Sequence, residues 1–166
     1  EITYEGYGPG GAAILVQTMT DNRNRTVGDV RAAFSRLGGS LGEAGSVAWQ
    51  FEPRGVIALN PNGRDPDEIA LVAIDAGAED VKTDDGAVEI YTPFEELEPV
   101  RAALEVQGLS IEHAEATLLP KTTVELEDEQ ATQVLKLIDR LEDLDDVQRV
   151  YTNVEFSEAV MQAVGG

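Results

Sequence analysis

Ala12-Ala13-Ile14-Leu15-Val16-Gln17-Thr18-Met19-Thr20, followed by Thr26-Val27-Gly28-Asp29 and then Val30, Phe34 and Leu37, is the stretch whose pattern decides the fold. The apolar run over residues 12–20 reads as a buried strand. Thr26 with Asp29 three residues on has the form of a capping box, a hydroxyl at the N-cap answered by a carboxylate. Val27, Val30, Phe34 and Leu37 recur at helical spacing, and Gly38-Gly39 supplies the C-terminal stop. Val47, Trp49 and Phe51 then alternate with Ala48 and Gln50, the period of a half-buried strand that places Trp49 in the core. A second strand-helix-strand unit closes the chain. Thr122–Leu126 is its first strand and Asp128 its N-cap. Ala131, Val134, Leu135, Ile138 and Leu141 share one helical face, and Val147–Val154 is the last strand. Neither unit buries a sheet face alone, so the two pair into a four-stranded antiparallel sheet backed by two helices, the ferredoxin-like plan.

The middle of the chain repeats that plan. Gly55–Leu59 reads as a strand, and Asp65-Pro66-Asp67-Glu68 opens a helix with proline at its first position. Ile69, Val72, Ala73 and Ala76 form that helix's apolar stripe, which ends at Gly77. Asp84-Asp85-Gly86 suits a tight hairpin. Thr92-Pro93-Phe94-Glu95 starts a helix with Leu97, Val100 and Leu104 inward, Gly108 stops it, and Ile111–Leu119 is the final strand. Both crossings carry a proline, in Glu52-Pro53-Arg54-Gly55 and in Leu119-Pro120-Lys121-Thr122, where exposed linkers tolerate an insertion. The expected class is α+β: two ferredoxin-like α/β sandwich domains, the second inserted into the first. Residues 1–53 plus 120–166 form the discontinuous outer domain and 54–119 the inserted one. A single continuous sheet is the alternative.

Composition narrows the function. There is no cysteine, which removes disulfides and thiolate metal sites and favours a reducing cytoplasm. No apolar run has the length of a membrane span, and no signal peptide opens the chain. The first residue is Glu1 rather than methionine, the mark of a fragment or processed product. The formal charge of -20 opposes polyanion binding, but it is unevenly spread. Residues 1–54 hold six acids against five arginines, a net of -1, and the remaining -19 follows Arg54. Only the first third can face phosphates without strong repulsion. The acidic remainder is a solvated surface or a face for a basic protein partner.

Thr20-Asp21-Asn22-Arg23-Asn24-Arg25-Thr26 is the best candidate site, since a helix start with its dipole favours an anion. Arg23 and Arg25 suit phosphate contacts, Asn22 and Asn24 suit sugar or base edges, and Arg31 extends the patch. The competing reading is an Asx turn at Asp21 and the asparagines, with Thr26 capping the helix and the arginines paired to surface acids. Gly8-Pro9-Gly10-Gly11 lacks the Gly-Lys-Ser/Thr of a phosphate loop and reads as a tight approach to the first strand. Tyr4 and Tyr7 suit base stacking in principle, but read first as packing groups. Glu142-Asp143-Leu144-Asp145-Asp146 lacks calcium-loop spacing, so no metal is expected. His113, the only histidine, has no nucleophile beside it. No catalytic residue or cofactor is expected.

Tyr4–Gly11, Thr20–Thr26, Gly38-Gly39, Gly45-Ser46-Val47-Ala48, Asp75-Ala76-Gly77-Ala78-Glu79-Asp80 and Leu141–Val147 resemble, in order and over nearly the whole chain, the signature blocks of the YebC family. The resemblance implies three domains in the family, with this sequence beginning at the second and lacking a lysine-rich helical first one. It also implies non-enzymatic control of gene expression. Bacterial members are described as DNA-binding transcriptional regulators. Others, including a mitochondrial translational activator of a cytochrome oxidase subunit, assist the ribosome through stretches such as consecutive prolines. The implied partners are DNA or the ribosome and its rRNA, bound mainly through the absent basic domain.

Overall fold

The computed structural model describes residues 1–84 and 86–165. The chain divides into two compact units, Glu1–Glu52 with Pro120–Gly166, and Pro53–Leu119. The first unit begins with strands β1 (Ile2–Tyr7) and β2 (Ala13–Thr18), helix α1 (Arg23–Arg36) and the two-residue strand β3 (Ser40–Leu41). The elements that follow are β4 (Phe51–Leu59), α2 (Pro66–Ala76), β5 (Asp80–Asp84), β6 (Ala87–Pro93), α3 (Leu97–Val106) and β7 (Ile111–Pro120). Helix α4 (Asp128–Glu142), strand β8 (Val147–Thr152) and helix α5 (Glu158–Gly165) close the chain. The strand orders are β3-β1-β2-β8 and β5-β6-β4-β7, so the α+β class holds as two sandwiches, each with a four-stranded sheet.

The second unit runs strand-helix-strand-strand-helix-strand, as its periodicity predicts. Asp65 caps α2 by accepting from the Asp67 N–H at 3.0 Å, and Ile69 and Ala73 are buried beneath it. Val100 and Leu104 of α3 are buried in the same cluster, with Leu97 packed against it. Asp85 of the expected hairpin turn lies outside the described residues; the flanking strands pair antiparallel, Asp84 opposite Ala87.

The first unit reaches four strands by a different route from the one expected. Strand β2 pairs antiparallel with β1 on one side and β8 on the other. Thr122–Leu126 therefore finds no place beside it, and makes only an isolated bridge, Val124 to Val154. Val47–Phe51 is not a strand up to Gln50; Ala48–Gln50 form a 3-10 turn before β4 begins. On α4 the buried face is Ala131, Val134, Leu137, Ile138 and Leu141, with Leu137 buried rather than Leu135. Val30, Phe34, Ile14 and Val16 meet this face in one core.

Close packing of α1 and β3 on β1 depends on glycine. A Cβ at Gly39 would lie 2.4 Å from the Tyr7 carbonyl oxygen, and one at Gly6 would lie 2.6 Å from the Phe34 ring. Gly28, inside α1, has nothing within 4 Å of the same position. Gly39→Ala should therefore lose about 1–3 kcal/mol by overpacking. Gly28→Ala should gain up to about 1 kcal/mol from helix propensity. Urea midpoints at constant slope measure both, and a tolerated Gly39→Ala would contradict the packing described.

Candidate nucleic-acid interface

Helix α1 starts on Asn22, whose Oδ1 accepts the Arg25 N–H at 3.1 Å. The Asn22 N–H is itself satisfied by Thr20 Oγ1 at 2.9 Å. This corrects the capping box at Thr26: asparagine is the stronger cap, and it sets the helix start four residues earlier. Thr26 lies buried in the first turn, where its hydroxyl donates to Asp146 Oδ2 at 2.7 Å and sits 2.8 Å from Thr20 Oγ1. Arg25 Nη2 reaches both oxygens of the same carboxylate, at 3.1 and 2.9 Å, and lies 3.6 Å from Asp21. Asp146 stands in the turn between α4 and β8. Its carboxyl is held below the ordinary value first by the Thr26 hydroxyl and then by Arg25. The bond to Asp146 correspondingly raises Arg25. A helix start attracts an anion, and here that anion is the protein's own.

The five predicted residues thus separate into two groups. Asn22 and Arg25 belong to the Thr20–Thr26–Asp146 knot. Arg23, Asn24 and Arg31 are exposed, and among the described residues none makes a side-chain hydrogen bond or ion pair. Asn24 and Arg31, seven residues apart, lie within about 20° of each other around the helix axis. Arg23 is the first helical residue, and α1 has no acid in its first turn. A cation there opposes the helix dipole by about 0.3–1 kcal/mol. Asp146 offsets that cost for Arg25, but nothing described does so for Arg23.

Beside the knot runs a groove of about 550 Å³, lined by Asp21, Asp29, Asp143, Asp145 and Asp146 with Arg25 as the cation among them. Glu142, nearby in sequence, has its carboxyl raised by burial and then by Asp139 and Asp143. Among the described residues, no group of His, Cys, Asp or Glu is arranged to hold a metal ion. His113 lies 3.6 Å from Glu115. The Gly8–Gly11 segment is a structural turn: a Cβ at Gly10 would meet Leu126 and Gln130 at 3.0 and 3.1 Å.

A second constellation was not anticipated from the sequence. Glu5, 7 % exposed, accepts backbone N–H groups from Gly45, Val47 and Ala48 at 2.6, 2.9 and 2.7 Å. Burial alone would raise its carboxyl, but these three bonds outweigh burial and hold it below 4.5. Donors committed to a carboxylate cannot enter a sheet ladder, which is why residues 47–50 turn instead of extending. Trp49 is consequently 65 % exposed rather than in the core, and its indole N–H donates to the Ser46 carbonyl at 3.1 Å. The Tyr7 hydroxyl donates to the same carbonyl at 3.3 Å. Tyr4, by contrast, packs against the core.

Because folding lowers the Glu5 pKa, its contribution is present above the ordinary value and lost as pH falls through the folded one. Glu5→Gln should be less stable than the parent at neutral pH. The gap between the two unfolding midpoints should then narrow on acidification below about pH 4.5. A gap independent of pH would mean that the three bonds do not depend on the charge.

A model of the TACO1/YebC second and third domain matches residues 1–154. A probable transcriptional regulatory protein of Dehalococcoides mccartyi strain CBDB1 is 56 % identical over 162 residues, covering 98 % of this chain and 64 % of the relative. One of the same description from Roseiflexus castenholzii is 53 % identical over 169 residues, covering 100 % of this chain and 66 % of the relative. The crystal structure of a conserved hypothetical protein of Aquifex aeolicus superposes with a TM-score of 0.85 at 45 % identity, covering 95 % of this chain and 65 % of that one. The chain thus spans slightly under two thirds of the length of these relatives. The ordered sequence blocks, the two sandwiches and these matches together show that the chain belongs to the TACO1/YebC family, matching its second and third domains.

Proposed function

We propose that this chain is part of a non-enzymatic, cytoplasmic regulator of gene expression that acts by associating with nucleic acid, as duplex DNA or as ribosomal RNA. The supporting observation is Arg23: an exposed cation on the positive end of a helix, disfavoured there and without an internal partner among the described residues. Arg31 and Asn24 extend the exposed polar surface along the same helix. Asn22 and Arg25 hold the helix start in place. The relatives' description as transcriptional regulatory proteins supports the regulatory part of this proposal.

The test is co-sedimentation of the protein with ribosomes in the presence of competing duplex DNA, repeated across ionic strengths. Arg23→Ala with Arg31→Ala should weaken binding and flatten the salt dependence by about 0.9 in slope per lost duplex phosphate contact, or about 0.7 on a single strand. An unchanged slope in the double variant would remove these arginines from the interface. Retention on ribosomes would favour translation, and sequence-selective release to DNA would favour transcription.

The acidic groove favours a second reading, in which Asp143 and Asp145 help dock a basic protein. Under that reading Asp143→Asn with Asp145→Asn abolishes partner capture and leaves nucleic-acid binding intact. Equal capture by parent and variant would reject it.

A further inference from the structure

We infer that Trp49 and Tyr7 form a stacking platform for an unpaired nucleobase of single-stranded nucleic acid. This inference rests on the nucleic-acid reading above, and it adds a base-contacting surface distinct from the arginines of α1. Trp49 is 65 % exposed and Tyr7 38 % exposed, yet both rings have their polar atoms committed to one acceptor, the Ser46 carbonyl. The indole N–H, the one hydrogen-bonding group of the Trp49 side chain, is thereby satisfied, and the ring faces themselves carry no donor. The loop that carries Trp49 is fixed from beneath. Glu5 receives three of its N–H groups, the Gly42 N–H donates to the Glu5 carbonyl at 2.8 Å, and Val47 is fully buried. A rigid exposed tryptophan loses little entropy on contact, which is what a stacking surface requires.

Size decides the occupant. Two aromatic side chains offer at most about 150–250 Å² each. A stable protein interface needs about 800 Å² per partner, whereas one or two bases need only a ring face apiece. Stacking adds affinity that does not depend on neutralising phosphates.

Trp49 is the only tryptophan, so intrinsic fluorescence reads the platform directly. Single-stranded oligodeoxyadenylate should quench it at low ionic strength. An abasic oligonucleotide of equal length and charge, and the same sequence as a duplex, should not. In anisotropy with labelled oligodeoxyadenylate, Trp49→Ala should bind about 5- to 150-fold more weakly. Trp49→Phe, which keeps a ring but lacks the N–H, should retain most of the affinity and serves as the folding control. Equal binding of base-bearing and abasic strands, or an unaffected Trp49→Ala, overturns the platform while leaving the arginine contacts standing if Arg23→Ala with Arg31→Ala still weakens binding. Self-association that depends on Trp49 overturns it in favour of a second copy. Failure of every oligonucleotide to bind overturns both the platform and the reading on which it rests.

Discussion

Pairing of β2 with β8 is the constraint on which the first unit depends. It joins residues 13–18 to 147–152, partners separated by more than a hundred positions of chain. Asn153 Oδ1 accepts the buried Ala13 N–H at 3.0 Å across a separation of 140 residues, and the Thr152 hydroxyl donates to the Ala13 carbonyl at 2.9 Å. Closing so long a loop is costly only if the intervening chain is disordered. Here the intervening unit has its first and last strands, β4 and β7, side by side in its own sheet. The Lys121 N–H donates to the Gln50 carbonyl at 2.8 Å, so the two crossings meet, and the pairing of β2 with β8 closes over a folded segment instead of a free one.

Two carboxylates from an abundant set then fix the local geometry, and each is distinguished by its donors rather than by its type. Glu5 takes backbone N–H groups that would otherwise be unsatisfied in the Gly42–Gln50 segment. Asp146 takes a hydroxyl and a guanidinium at the start of α1. Asp146 also ties the turn after α4 to the end of β2, through the Met19 N–H on its backbone carbonyl at 2.9 Å. A carboxylate of the protein's own thus stands beside the helix start, held there by side chains. Under the proposed reading, an external phosphate meets Arg23, Arg31 and Asn24 rather than Arg25, whose groove presents five aspartates.

What could be read from the sequence follows from how local each determinant is. Helix α2 carries period, cap and stop within a dozen residues, so its pattern suffices; α3 carries period and stop, but it starts at Leu97 without a side-chain cap, because Thr92 and Pro93 end strand β6 and Phe94–Glu96 form a 3-10 turn. Strand β1 is hidden by its glycine: Gly6 is needed under Phe34, a contact that sequence order does not show. Trp49 alternates correctly for a strand, but its neighbours' N–H groups go to Glu5, more than forty residues away. Thr26 fits a capping box, yet Asn22 outcompetes it and Asp146 claims its hydroxyl. Of the candidate site, the location at the start of α1 is readable. Its division into Asn22 and Arg25, held in the fold, and Arg23, Asn24 and Arg31, facing solvent, depends on a residue 120 positions along the chain.

A chain of charge -20 can meet a polyanion only if the local balance differs from the global one. At the ionic strength of a cell, exposed charges more than about 8 Å apart are largely screened. What lies near the contact therefore matters more than the total, and part of the -19 beyond Arg54 lies there, since Asp143, Asp145 and Asp146 line the groove beside Arg25. Around α1 that local balance is itself mixed: aspartates line one side, while Arg23, Arg31 and Asn24, without ion-pair or side-chain hydrogen-bond partners among the described residues, occupy the exposed surface. Under the proposed reading, such a surface would bind phosphate weakly and in a restricted orientation. On that proposal affinity would rest on contacts that charge does not govern, such as stacking on the exposed rings that donate to the Ser46 carbonyl.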